Sequence, residues 1–200
     1  DRTSRGLGDV YKRQHKPCQI HTLITRRFFA VKNIVLTGFM GTGKSSVGKE
    51  LSTIRNIPFI DTDEEITKKF GPISELFENH GEEYFRKCEC EIILQVAKTS
   101  EVVIATGGGV VMDPDNIKVL EASGEIICLT ANPEELVNRL TGAGEVGVRP
   151  LLDVDDPLNA ISTLLAIRED VYKQFAQFDT VGKSPTEIAH EIDDFLNAKN

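Results

Sequence analysis

Ile34-Val-Leu-Thr-Gly38-Phe-Met-Gly41-Thr42-Gly43-Lys44-Ser45-Ser46 is the stretch on which the reading of this chain turns. A short β-branched run, Ile34–Thr37, leads into G-x-x-x-x-G-K-[ST], met at every fixed position by Gly38, Gly43, Lys44 and Ser45. Val47 and Leu51 follow at helical spacing, so the motif lies between a strand and an amphipathic helix. Each residue type has a chemical reason to be there. Glycines let the backbone wrap a phosphate with its N–H groups turned inward, and the helix adds its positive N-terminal end. Lys44 supplies a point charge to the β/γ-phosphates, and the Ser45 hydroxyl is a Mg²⁺ ligand. Gly41 to Ser46 are therefore expected to cradle a nucleotide.

Outward from this loop, short apolar runs recur at Pro58–Ile60, Val102–Ala105, Ile126–Leu129 and, more weakly, Phe178–Val181. With Ile34–Leu36 they suit strands buried on both faces of a parallel sheet. Between them lie amphipathic stretches. Phe85, Cys88, Ile92 and Val96 share one helical stripe, and Ile188, Ile192, Phe195 and Leu196 another. The alternation predicts an α/β fold with right-handed crossovers. Thr141–Val148, with three glycines and little to pack, reads as a mobile loop within one unit spanning 31–200.

Composition narrows the function. The chain has 200 residues, is 40% hydrophobic and 27% charged, and carries a formal charge of −8. An acidic chain is a poor prospect for nucleic-acid binding, and no run approaches the roughly 18 apolar residues of a membrane span. The charge is uneven. Residues 1–30 hold Arg2, Arg5, Lys12, Arg13, Lys16, Arg26 and Arg27 against Asp1 and Asp9, a net of +5 that leaves −13 for the rest. This segment has no core pattern and is expected to be a disordered basic tail or translated adapter sequence. Its shortage of serine speaks against an organelle transit peptide. Cys88 and Cys90, two apart on a helix, point apart and cannot share a metal. Together with Cys18 and Cys128 they read as reduced thiols of a cytoplasmic protein.

A GTPase would need N-K-x-D after a later strand, and none exists. At this size a small-molecule kinase fits best. Further motifs specify the acceptor: Asp61-Thr-Asp63, Gly81-Glu-Glu-Tyr-Phe-Arg86, Gly107-Gly108-Gly109, Arg149-Pro-Leu-Leu152 and Arg168. In order and spacing these resemble the shikimate kinases, over about Lys32 to Asn197. The resemblance implies a P-loop fold like that of the nucleoside monophosphate kinases: a five-stranded parallel sheet flanked by helices, with a short lid near 141–155. It also implies transfer from ATP, with Mg²⁺, to the 3-hydroxyl of shikimate in chorismate biosynthesis, by a monomer.

The resemblance assigns roles residue by residue. Lys44, Asp63 and Arg149 are catalytic, with Arg149 closing on the ATP phosphates from the lid. Ser45 and Asp61 hold Mg²⁺. Asp63, Arg86, Gly107, Gly108, Gly109 and Arg168 bind shikimate, the two arginines taking its carboxylate. That last role suits a planar fork, which pairs bidentately where lysine cannot. Lys183 matches the adenine-side loop, where the family often carries Arg. Asp61 and Asp63, at the end of a strand, are expected to point the same way along extended chain. One departure stands out: the family commonly has Arg-x-Pro-Leu-Tyr where this chain has Arg168-Glu-Asp-Val-Tyr172. It bears on substrate affinity and leaves a nucleotide-binding pseudo-enzyme open, while the shared phosphate cradle leaves open a gluconate kinase-like enzyme. His80, His190 and Cys90 are read as surface or packing.

Overall fold

Alternate residues of each central strand face opposite sides, and both sides are apolar. In the computed structural model, which describes residues 32–142 and 155–199, Ile34 and Leu36 enter one core cluster and Val35 the other. Ile127 and Leu129 likewise part from Ile126 and Cys128. A strand apolar on both faces must be covered on both faces, which fixes a three-layer helix–sheet–helix arrangement.

The elements in chain order are β1 (Asn33–Gly38), α1 (Lys44–Arg55), β2 (Phe59–Asp61), α2 (Thr62–Phe70) and α3 (Ile73–Val96). There follow β3 (Val103–Ala105), a 3₁₀ turn (Val110–Met112), α4 (Pro114–Ser123) and β4 (Gly124–Thr130). The described chain ends with α5 (Pro133–Gly142), α6 (Pro157–Tyr172), β5 (Ala176–Asp179) and α7 (Pro185–Ala198). All five strands pair in parallel, in the order β2-β3-β1-β4-β5. The chain leaves β1 toward β2 on one side and later returns to β4 on the other. Ligands of such sheets lie in the crevice at the carboxyl ends of the strands, where the order reverses.

The expected strands are all present, with corrections at the edges. β2 is shifted one residue onward from Pro58–Ile60 and β5 two residues back from Phe178–Val181. Proline has no N–H for the ladder, and Pro58 serves only as acceptor, its carbonyl bonded by Val103 N at 2.9 Å. Burial on both faces holds for β1 and β3 but fails for β5, where Gln177 and Asp179 are exposed. Edge strands are covered on fewer sides, so their hydrophobic signal is weaker.

Two local devices place the site. The stripe Phe85, Cys88, Ile92, Val96 of α3 is buried as expected, and Gly81, at φ 78° and ψ 174°, breaks that helix so that Arg86 opens its second part. Ser184 and Glu187 form a reciprocal capping box at the start of α7, behind Pro185 at its first position. That box anchors the loop leaving β5 beside the nucleotide cradle. The basic segment expected at 1–30 lies outside the described residues. So does most of the lid expected near 141–155, Arg149 included.

Candidate active site

The loop between β1 and α1 has positive φ at Gly38, Gly41 and Gly43. At Gly38 no other residue would fit, because a Cβ would strike the Leu129 carbonyl of β4. No side chain caps the start of α1, so its first N–H groups remain for a ligand. Lys44 Nζ lies back over its own loop and donates to the carbonyls of Gly38 and Phe39, each at 2.9 Å. Burial pushes its ammonium down to about 8, with Arg168 adding to the effect, against the pull of Asp63 and Asp61. Ser45 Oγ donates to Asp61 Oδ2 at 2.6 Å. A hydroxyl and a carboxylate in contact beside a phosphate loop are the hard oxygen donors that Mg²⁺ takes alongside phosphates and water, so these two residues fit the ion.

The acceptor side corrects one expectation. Asp61 and Asp63 do not alternate along one extended strand. Asp61 ends β2 and caps α2, its Oδ1 accepting from Asp63 N at 3.0 Å, while Asp63 lies in the first helical turn. An Asp cap followed by acids suits a helix start on both capping and dipole grounds. The two carboxylates are still close enough to interact. Asp63 is accessible to solvent in the cleft yet crowded by protein. Its pKa is raised, first by that loss of bulk water and then by Asp61, with Lys44 and Arg86 opposing.

The triple glycine after β3 is where the other groups converge. Gly107 N donates to Thr62 Oγ1 at 3.1 Å. A Cβ on Gly107 would lie 2.9 Å from Asp63 Oδ1 and 3.0 Å from Glu89 Oε1, so those two carboxyls flank it. Arg86 packs its guanidinium against Gly109 and donates to Glu89 Oε2 at 2.8 Å and Glu82 Oε1 at 3.2 Å. Arg168, buried on α6, places Nη1 3.4 Å from Gly108 O and its guanidinium over the Phe39 ring at 5.5 Å. A Cβ on Gly108 would be 3.2 Å from Gly38 O. The glycine turn therefore abuts the phosphate loop itself. Asp63, Arg86 and Arg168 are brought together there from three different helices.

A cavity of about 440 Å³ opens on the other side of the loop, lined by Thr42, Gly43, Ser46, Arg139, Thr180 and Lys183 among others. Lys183, expected on the adenine side, lines this cavity, with Nζ on Glu191 at 2.8 Å. Arg139 was not foreseen. Its Nη1 reaches Thr180 Oγ1 at 2.9 Å and Gly41 O at 3.3 Å, Nη2 reaches Thr180 O at 2.8 Å, and Nε pairs with Glu135 at 2.7 Å. In the sequence it shows only as Glu135–Arg139 at i,i+4, which looks like an ordinary surface pair. Glu89 was also missed. It is 2% exposed, and burial raises its pKa against the pull of Arg86. Nothing in Cys88-Glu-Cys90 announces it. Glu169 and Asp170, the acids that depart from the family pattern, are exposed, and Glu169 pairs with Lys173 at 2.6 Å while Arg168 stays buried. His80 and His190 are exposed, and Cys90 packs with Sγ 3.6 Å from Asp113 Oδ2.

Comparison with known proteins is in keeping with this geometry. The family model for shikimate kinase matches residues 40–197. A shikimate kinase of Caldanaerobacter subterraneus subsp. tengcongensis is 46% identical over 165 residues, covering 81% of this chain and 94% of its own. That of Geobacter sulfurreducens is 41% identical, covering 82% and 91%. Among solved structures, the Acinetobacter baumannii shikimate kinase in complex with shikimate superposes with a TM-score of 0.79 at 31% identity, over 85% of this chain and 95% of that one. A gluconokinase from Sinorhizobium meliloti reaches 0.55 at 18% identity, over 87% of this chain and 99% of that one, which shows a common fold and no more. The chain belongs to the shikimate kinase family.

Proposed function

We propose that this protein transfers the γ-phosphoryl group of ATP to the 3-hydroxyl of shikimate, giving shikimate 3-phosphate and ADP. One observation carries the reading: Asp63, Arg86 and Arg168 meet at Gly107–Gly109, and that turn touches the phosphate loop at Gly38. Two guanidinium groups suit a carboxylate, and Asp63 suits a hydroxyl that must lie in line with the γ-phosphorus. The alcohol oxygen forms the new O–P bond, the bond to the bridging oxygen of ADP breaks, and the hydroxyl proton passes to the Asp63 carboxylate. A raised pKa makes Asp63 a better proton acceptor. Because the transition state of phosphoryl transfer is loose, aim counts for more than deprotonation.

Lys44 leaves its carbonyl partners for the β/γ-phosphates, and Arg149 joins them from the lid. Mg²⁺, held by Ser45 with Asp61 nearby, would supply charge neutralisation on the phosphates. The cavity by Arg139, Thr180 and Lys183 takes the nucleobase. We take residues 31–200 as one unit working as a monomer. Cys88, Cys90 and Cys128 are buried thiols, in keeping with a reducing, cytoplasmic setting. Among the described residues no helix is long and apolar enough to cross a membrane.

An ADP-release assay with ATP·Mg²⁺ and a panel of shikimate, gluconate and uncharged polyols tests this. Shikimate-dependent turnover well above the others is expected. Turnover on gluconate alone would favour the sugar-acid reading, and ATP binding with no turnover on any acceptor the pseudo-enzyme.

A further inference from the structure

Arg168 is buried with its binding capacity largely unused. Among the described residues its Nε has no partner and its one hydrogen bond, to Gly108 O, is long at 3.4 Å. A guanidinium carries five N–H donors, so in this surrounding it should settle on the nearest strong acceptor. That acceptor is the Gly108 carbonyl, which Arg168 reaches only at 3.4 Å while a second donor holds it more closely. Tyr172, one turn further along α6 and also buried, donates its hydroxyl to Gly108 O at 2.7 Å. Residues four apart on a helix share a face, so the two donors approach the same oxygen together. The shorter bond goes to the tyrosine.

We infer that Tyr172 is a positioning residue of the acceptor site, whose hydroxyl makes the strong bond to the Gly108 carbonyl and so leaves Arg168 only loosely held there and available to the acceptor carboxylate. The inference rests on the shikimate reading above and extends it. The same bond orients the Gly108 peptide, where a Cβ would lie 3.2 Å from Gly38 O and 3.4 Å from Met40 N of the phosphate loop. Without the hydroxyl, the long bond of Arg168 to the Gly108 carbonyl shortens, and an incoming carboxylate must compete with it. ATP, bound on the other side of the loop by different groups, should scarcely notice.

Tyr172→Phe removes only the oxygen. The KM for shikimate is expected to rise roughly tenfold, the value of a hydrogen bond to a charged group, while the KM for ATP moves less than about twofold. In an Arg168→Lys background the same change should leave the KM for shikimate where Arg168→Lys alone puts it, since the group being protected is gone. An unchanged KM for shikimate, equal shifts in both KM values, or a full effect persisting beside Arg168→Lys would each overturn the inference. A purely structural tyrosine would lower the melting temperature without splitting the two KM values. Wild-type protein offers a second test that needs no variant. In a crystal structure with shikimate bound, Tyr172 should stay on Gly108 O while Arg168 turns to the carboxylate. Arg168 still on Gly108 O would refute the role. A wild type inert toward shikimate would instead refute the substrate reading itself.

Discussion

Gly109→Ala offers a clean perturbation of the acceptor site, because it strains no backbone. Gly109 has φ −95° and ψ −10°, a region open to any L-residue. The new methyl would lie 2.6 Å from Arg86 Nη1 and 3.0 Å from Cζ and Nη2. Ordinary contact begins at 3.4 Å, so the guanidinium must retreat by about 0.8 Å. It can do so, since Arg86 is 36% exposed at its side chain and only its far end is obstructed. Folding is therefore expected to suffer by no more than about 1 kcal/mol, the low end for overpacking. Binding should suffer more. A charge-assisted hydrogen bond is worth about 1.5–3 kcal/mol, or roughly 10- to 150-fold in affinity, and a misplacement near 1 Å can cost about 10²-fold in rate. We expect kcat/KM for shikimate to fall by about 10- to 100-fold, with the KM for ATP unaltered. Initial rates at saturating ATP, with a thermal melt on the same sample, measure both. Wild-type kinetics in Gly109→Ala would refute the placement of Arg86 on the acceptor.

Three more outcomes follow from the same geometry. Asp63→Asn should lower kcat by on the order of 10²-fold or more through loss of both the aim of the hydroxyl and the proton acceptor, read as single-turnover product formation; near-normal rates would remove Asp63 from the chemistry. Lys44 titrates at about 8 in the free protein instead of 10.5, and phosphates favour its charged form. The Kd for ATP, followed by calorimetry, should thus stay level below that pH and weaken by up to about tenfold per unit above it; a level Kd up to pH 10 would contradict the assignment. Gly48→Ala would press a methyl against the Phe59 ring between α1 and β2. It should cost about 1–3 kcal/mol of stability in denaturant unfolding with little change in KM for either substrate.

Much of this was legible because it is local. The strand–glycine loop–helix from Ile34 to Leu51 follows from phosphate chemistry and short-range periodicity, and the structure reproduces it. The central strands were clear because both faces are buried and their middles, Ile34–Leu36, Val103–Ala105 and Ile126–Leu129, are apolar throughout. β5 was misplaced by two residues because Gln177 and Asp179 face water, which dilutes the apolar run. Asp61 and Asp63 were read as alternating on a strand, yet the same letters are a good helix start, and the capping bond from Asp63 N decided the matter. Glu89, Arg139 and the bond of Tyr172 to Gly108 depend on what distant segments bring to them. A Glu–Arg pair at i,i+4 on a helix looks alike whether it faces solvent or a ligand. Only packing tells the two apart.

The most direct measurement is a crystal structure with ADP and shikimate bound together. The account predicts the carboxylate of shikimate on Arg86 and Arg168, its 3-hydroxyl on Asp63 and facing the phosphates, and the diphosphate over Gly41–Ser46. Shikimate bound elsewhere, or turned so that another group meets Asp63, would contradict it.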